Sequence, residues 1–253
     1  MTTTHIVALS GGKDSSAMAL RLAEVEPREY IYVCTPTGNE HDDMIEHWKS
    51  LSDRLGQPIL PLTAGRSLQG EIRRQQMLPN HRARWCTRML KIEPYQQFLA
   101  KYAHEGPVVS YVGLRADEPE RPGGIYDHLP NVTMRFPMRE WGWGIRAVTD
   151  YLRERNVTIP KRTDCLGCFW QRLGQWWELW KDAPEEYEKM AALERYVTEQ
   201  RGRVHTFRSE QRDSWPASLH ELRARFEAGA RPKAAGQGEL FGGPEHRCRV
   251  CSL

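Results

Sequence analysis

The run Ser10-Gly11-Gly12-Lys13-Asp14-Ser15 gathers, in six consecutive positions, the groups that hold a phosphate. Glycines let the backbone approach an anion and turn N–H groups toward it. Lys13 supplies positive charge, and Ser10 and Ser15 supply hydroxyl donors. Asp14 has the chemistry to orient the loop or to help hold Mg2+. A short apolar run, His5–Leu9, precedes the loop. A helical pattern, Ser15–Glu26, follows it. The loop therefore opens a helix whose N-terminus adds partial positive charge. The spacing is not that of the Walker A loop, G-x-x-x-x-G-K-[ST]. The plain alternative is a polar strand-to-helix turn without a ligand, and six matching positions in this context argue against it.

Six cysteines form the second set. Cys165-Leu166-Gly167-Cys168 and Cys248-Arg249-Val250-Cys251 are both CxxC pairs, and Cys86 stands alone before a helix. Cys34 lies in an apolar strand and reads as core. Two CxxC pairs suit a structural zinc site or an iron–sulfur cluster, since thiolates serve both. Reduced or redox-active thiols without metal are the third reading. Arg84, Arg88, Arg162 and Arg172 would favour thiolates or an anionic cluster. Trp170, Trp176, Trp177 and Trp180, with Trp141 and Trp143 before them, either stack nucleic-acid bases or pack a helical layer. Trp176 and Trp180 are one turn apart, which favours packing.

These residues need a scaffold. Tyr30–Cys34, Ile59–Leu62 and Val108–Val112 read as further strands, and His41–Leu55 reads as a helix. Alternation of strands and helices predicts a Rossmann-like, doubly wound, mostly parallel α/β sheet. A smaller helical C-terminal part, with helices over Ile145–Asn156, Pro184–Gln200 and Leu219–Glu227, carries the Cys metal loop. The expected division is a nucleotide-binding α/β domain over 1–140, a helical subdomain over 141–228 and a flexible tail over 229–253. The 253 residues net +3, weak evidence about partners. No run is apolar enough to span a membrane, and no leader precedes the first strand, so a cytoplasmic protein with no membrane partner is expected.

Further motifs resemble one known family. Thr37-Gly38-Asn39-Glu40 follows the second strand at a C-terminal end, where doubly wound folds place ligands. Arg84 to Pro94, RWCTRMLKIEP, resembles the Cys-x-x-x-x-Lys-x-x-Pro segment of the phosphoadenosine phosphosulfate (PAPS) reductase family. Gly113-Leu114-Arg115-Ala116-Asp117-Glu118 with Arg121 resembles its G-x-R-x-x-E/Q-x-x-R segment. Phe136-Pro137 to Trp141 resembles its aromatic P-x-x-x-W region, and Ser10–Ser15 resembles the PP-loop of the wider ATP pyrophosphatase (adenine nucleotide α-hydrolase-like) superfamily. Together these cover roughly residues 5–190.

The resemblance implies cleavage of ATP to AMP and pyrophosphate with an adenylated intermediate. It implies catalytic Lys13, Asp14 and Arg115, and ATP contacts from Ser10, Gly11, Gly12, Lys13, Asp14, Ser15, Thr37, Gly38, Arg88, Lys91 and Arg121. Arg88, Lys91, Arg115 and Arg121 would form a cationic rim. Sulfonucleotide reductases carry a degenerate phosphate loop, whereas this one is intact, which favours ATP-dependent sulfur transfer, including onto nucleic acid. Some adenylylsulfate reductases hold a 4Fe–4S cluster on a Cys-Cys pair and a later CxxC. Cys86, Cys165 and Cys168 match three of those ligands, and Trp85 stands in place of the fourth. Cys248 or Cys251 then completes the set, or one iron stays open to sulfide. Zn2+ is the alternative metal, and a mobile reactive thiol is the alternative role of the tail. Expected partners are ATP with Mg2+, a sulfur donor or reductant protein, and a nucleic-acid substrate. The rival functions are a thiol-dependent PAPS or adenylylsulfate reductase and a non-catalytic nucleotide-binding subunit with structural zinc. The acceptor (DNA, tRNA or a small molecule) and the oligomeric state are left open.

Overall fold

The computed structural model describes residues 2–123, 126 and 128–232. Strand β1, Thr4–Ala8, alternates its side chains between two cores. Val7 and Leu9 enter one, while Ile6 and Ala8 enter the other. Burial on both faces requires helices on both sides. Helix α1, Lys13–Val25, follows, and its Ala17, Met18 and Leu22 are fully buried. Strand β2, Ile31–Cys34, is the apolar run IYVC. Helix α2, Asp42–Leu55, has two acids in its first turn, Arg54 in its last, and Gly56 beyond it at φ 64. That is the usual charge order and left-handed stop. Strand β3, Ile59–Pro61, ends the first half.

Next come α3, Leu68–Gln75, a short α4, Trp85–Thr87, a π-helical segment, Arg88–Ile92, and α5, Glu93–Glu105. Strand β4, Val108–Tyr111, and β5, Val132–Arg135, complete the sheet. The remaining helices are α6, Pro137–Glu140, α7, Ile145–Glu154, α8, Leu173–Asp182, α9, Pro184–Arg201, and α10, Leu219–Glu227.

Among the described residues the sheet has five strands in the order β3-β2-β1-β4-β5. Every neighbouring pair is parallel, with Ile6 opposite Ile31 on one side of β1 and opposite Ser110 on the other. This is the doubly wound α/β fold expected. Several elements lie where the sequence reading placed none, among them α3 and β5. Helix α3 lies where no element is expected, started by Ser67, whose hydroxyl accepts from Gly70 N at 3.1 Å. Edge strand β5 is only partly buried, so it lacks a strong apolar signal.

Three cores hold the layers. Helices α1 and α7 pack on one face of the sheet and α5 on the other. The third core joins Leu68, Ile72, Trp85 and Leu90 to Trp176, Leu179, Met190 and Phe226. Helices α8 to α10 are thus packed on α3 and α4. Trp176 is 0% exposed, and Trp177 and Trp180 pack against the same core. That is the packing role the one-turn spacing favours. No helix among the described residues is long and apolar enough to cross a membrane.

Candidate functional site

Strand β1 runs out at Ala8, and the chain turns at Gly11, with φ 80. A Cβ there would sit 2.5 Å from Met44 Sδ and 2.7 Å from Trp48 Nε1 of α2, so glycine is required by both backbone and space. Gly12 is the extended N-cap of α1, and no side chain caps that helix. Its first N–H groups therefore point into the turn without a side-chain acceptor. Ser10 Oγ lies 3.0 Å from Ser15 Oγ, and Ser15 Oγ donates to Gly12 O at 3.2 Å, which fixes the loop's shape. Lys13 is half-buried beside it.

The end of β4 closes on this loop. A Cβ on Gly113 would meet Ser15 N at 3.0 Å. Two residues on, Arg115 is buried, 6% exposed, and its Nη1 donates to Asp14 Oδ2 at 2.8 Å. Its Nε donates to Asp117 Oδ1 at 2.8 Å, and its Nη2 lies 3.0 Å from Glu118 Oε1. Glu118 in turn accepts from Arg121 Nη1 at 2.8 Å. Arg115 therefore grips the loop's own aspartate instead of lining an open rim, and Arg121 supports it through Glu118. Burial pushes the Asp14 carboxyl up, against the pull of Lys13 and Arg115. Its Oδ1 is buried with no hydrogen-bond partner among the described residues. That atom is an unspent acceptor of the kind a divalent cation takes. Arg88 is exposed and pairs with Glu93 at 2.8 Å, away from this network.

Beyond β2, Glu40 folds back on its own turn. Thr37 N and Oγ1 both donate to Glu40 Oε1 at 2.7 Å. Gly38, with φ 70, leaves no room for a Cβ against Ser67, which would lie 2.9 Å away. Three hydrogen bonds tie two elements, α3 and the CxxC loop, to this turn. Leu68 N donates to Thr37 O at 2.7 Å, Gln69 Nε2 to Asn39 Oδ1 at 2.8 Å, and Leu166 N to Asn39 O at 2.8 Å. The turn thus joins the sheet edge to the CxxC loop.

The thiols meet beside it. Thr37, Cys86, Thr87, Lys91, Cys165, Cys168, Phe169 and Trp170 line one pocket. A hydrogen bond from the Cys168 thiol, and secondarily Lys91, hold the Cys165 thiol below its usual range. Cys168 is pushed well above that range as the donor of that bond, and burial raises Cys86. The CxxC loop is held by side chains it does not contain. Gln171 donates to the carbonyls of Cys165 and Leu166, and Arg212 Nη1 donates to Gln171 O at 2.8 Å. Gly167 sits close under Met190 Sδ, where a Cβ would be 3.0 Å away. Cys34 is apart, 5% exposed in β2, its thiol raised to about 12 by burial, as a core cysteine should be.

Sequence reasoning thus named three cysteines that do converge. Thiolate donors suit a thiophilic metal. Among the described residues, however, no three or more His, Cys, Asp or Glu side chains are grouped to hold a metal ion. Cys248 and Cys251 lie outside the described residues. The ligand set is incomplete among the described residues. Sequence reasoning missed Glu118 as the buried partner of Arg115 and missed Gln171 beneath the thiols. Glu118 stood in the Gly113–Arg121 segment, but its pairing with Arg115 needed the fold, and Gln171 carried no signal of its own.

In the strand order, β1 is where the winding reverses, toward β2 on one side and β4 on the other. Doubly wound α/β proteins bind ligands at such a switch point, and Ser10–Ser15 and Gly113–Arg115 form it. The phosphoadenosine phosphosulfate reductase domain model matches residues 4–164. The chain belongs to that family, a branch of the PP-loop, adenine nucleotide α-hydrolase-like superfamily. It is 24% identical over 195 residues to the uncharacterized protein MJ0066 of Methanocaldococcus jannaschii, covering 73% of this chain and 40% of that one. To the uncharacterized protein MJ0973 of the same organism it is 29% identical over 175 residues, covering 64% and 40%. The chain thus spans about two fifths of the length of these curated relatives. Among solved structures it is similar to the phosphoadenylyl-sulfate (PAPS) reductase of Candida auris, crystallised as a phosphate complex. That likeness has 12% identity and a TM-score of 0.48, over 62% of this chain and 74% of the other.

Proposed function

We propose that this chain binds ATP on the Ser10–Ser15 loop, cleaves it to AMP and pyrophosphate, and uses the activation for sulfur transfer at the adjoining thiol pocket. One observation carries the reading. An uncapped helix N-terminus with an intact glycine turn lies at the switch point, and a single turn, Thr37–Glu40, connects the same sheet edge to three cysteines.

The chemistry follows from the residues. Amides of Gly11 to Ser15 and the Lys13 ammonium stabilise the charge that gathers on departing pyrophosphate. Arg115 orients Asp14 and opposes the upward push of burial on its carboxyl. Asp14, through its unpartnered Oδ1, would help to hold Mg2+, which would supply charge neutralisation for the phosphates. An acceptor oxygen bonds to the α-phosphorus as the bond to the bridging oxygen breaks, and pyrophosphate leaves with the electron pair. Sulfur arrives as a persulfide on Cys165 from a sulfur-donor protein. Its terminal sulfur attacks the activated acceptor carbon and displaces AMP. Cys168 or Cys86 then breaks the sulfur–sulfur bond, leaving a protein disulfide that a reductant protein reopens. A 4Fe–4S cluster, or zinc, on the same thiols is a separate proposal decided by metal analysis of the anaerobically purified chain.

Chromatography of the nucleotide products tests the central claim. AMP with equimolar pyrophosphate supports it, and ADP with phosphate refutes it. Membership of the PAPS reductase family favours one second reading, thiol-dependent reduction of an adenylylated sulfate. Sulfite release without any ATP cleavage would select that reading.

A further inference from the structure

From Leu62 to Glu93 the chain holds seven Lys and Arg against two Asp and Glu, a net of five positive charges in a chain that nets three. Both acids are engaged within the segment, Glu93 by Arg88 at 2.8 Å, so the excess charge falls on the other cations, Arg73 and Arg82 among them. Glu71, one of the two acids, has a side chain 0% exposed, enclosed by Arg66 at 2.7 Å and Arg74 at 2.8 Å. Arg66, Arg73, Arg74, Arg82 and Arg88 are all exposed. The segment folds back on itself, since Gln75 of α3 donates to Met89 Sδ of the π-helical stretch at 3.4 Å. Both its ends reach one place. Leu68 from the start, and Cys86, Thr87 and Lys91 from the finish, line the thiol pocket. The same pocket is lined by Phe169 and Trp170, whose rings lie 5.0 Å apart.

We infer that this segment docks a single-stranded nucleic acid, its backbone along the exposed arginines and one base resting at the mouth of the thiol pocket beside the half-buried Trp170. The placement of the base rests on the sulfur-transfer reading above, with the nucleic acid as acceptor. A lone nucleotide does not account for the charge, because the Ser10–Ser15 loop already has its own Lys13. Arginines spread along a surface match a repeating phosphate charge. Aromatic rings at the end of such a track are the pattern of single-strand binding, where a base leaves its stack and finds a new one.

The test is fluorescence anisotropy of the full chain with short labelled single-stranded DNA and RNA oligonucleotides, without ATP, across a salt series. Binding that weakens with salt is expected. The Arg73→Glu/Arg82→Glu double variant should bind at least about tenfold more weakly and lower the log–log salt slope by about 1.4. Its affinity for ATP, measured by titration calorimetry without oligonucleotide, should stay at the wild-type value. Arg82→Glu alone, on an exposed loop side chain, should show about half the slope change and guards against misfolding of the double variant. Failure to bind either strand at low salt, with pyrophosphate release intact, overturns the inference. So does equal competition by polyglutamate of matched charge, which would assign the surface to an acidic protein. Oligonucleotide binding without any ATP cleavage would overturn the ATP reading and leave this one standing.

Discussion

Arg115 Nη1 reaches Asp14 Oδ2 at 2.8 Å across 101 positions of sequence, bolting the loop after β4 to the loop after β1. With Asp117 and Glu118 on its other nitrogens, Arg115 is the centre of a buried charge network, not a free surface cation. Arg115→Ala leaves Asp14 and Glu118 buried without their partner. It should lower unfolding stability by about 3–5 kcal/mol, the cost of breaking a buried pair. Urea unfolding checks this, and a loss within the range of a surface substitution would show that the network is not a stability element.

Lys13→Ala should abolish ATP cleavage, by about 100-fold or more, while the fold is kept. Lys13 is only half-buried and stands on a helix whose packing comes from Met18 and Leu22. A pyrophosphate assay beside a thermal melt separates the two effects. Near wild-type turnover would remove the phosphate role from this loop.

Gly11→Ala puts a Cβ on a left-handed backbone and 2.5 Å from Met44 Sδ. The conformational part alone costs about 1–2 kcal/mol. Nucleotide affinity should fall with it, since the loop cannot hold its shape. Adding Met44→Ala should restore part of the affinity but not the conformational part. Titration calorimetry with ATP measures both, and unchanged affinity in the single variant would contradict the fit described.

Glu194 is 4% exposed, and its two oxygens accept from Phe207 N at 2.8 Å and Leu219 N at 2.7 Å. Burial raises its pKa to about 8 from an ordinary 4.5. The folded state therefore binds a proton that the unfolded state has released between these values. Glu194 contributes most below the unfolded pKa, and the contribution is lost as pH rises toward about 8. Wild type should lose stability between these limits relative to Glu194→Gln, which cannot titrate. Denaturant midpoints at several pH values report the difference. Parallel curves would place the Glu194 pKa near normal.

Cys165→Ser should stop sulfur transfer and leave pyrophosphate release unchanged, because the thiol pocket and the phosphate loop are separate surfaces joined by one turn. Cys34→Ala, in the sheet core, should affect neither assay and cost only packing. Loss of both activities in Cys165→Ser would mean that the thiol also serves the phosphate step.

The turn between β1 and α1 was legible because its residues are contiguous and its neighbours have clear periods. The parallel sheet was legible because IYVC and VVSY are compact apolar runs. Helix α3 was not, since LQGEIRRQ offers only Leu68 and Ile72 as apolar anchors, and a glycine interrupts it. Its burial is decided by α9, more than a hundred residues later. The same distance hid the role of Arg115. From sequence it is one cation after a strand. Only the pairing of β1 with β4 brings it to Asp14. The convergence of Cys86 with Cys165 and Cys168 came from the resemblance, because no local pattern joins positions so far apart.

The turn Thr37–Glu40 has a thermodynamic consequence. Its carbonyls are shared, Thr37 O with α3 and Asn39 O with the CxxC loop. A ligand that shifts this turn from the sheet side must also shift Leu166. Linkage is reciprocal, so an occupant of the thiol pocket that resists the shift changes affinity at the sheet edge by the same factor. The sheet edge and the thiol pocket then share one coupling free energy, measurable as a ratio of dissociation constants from either end.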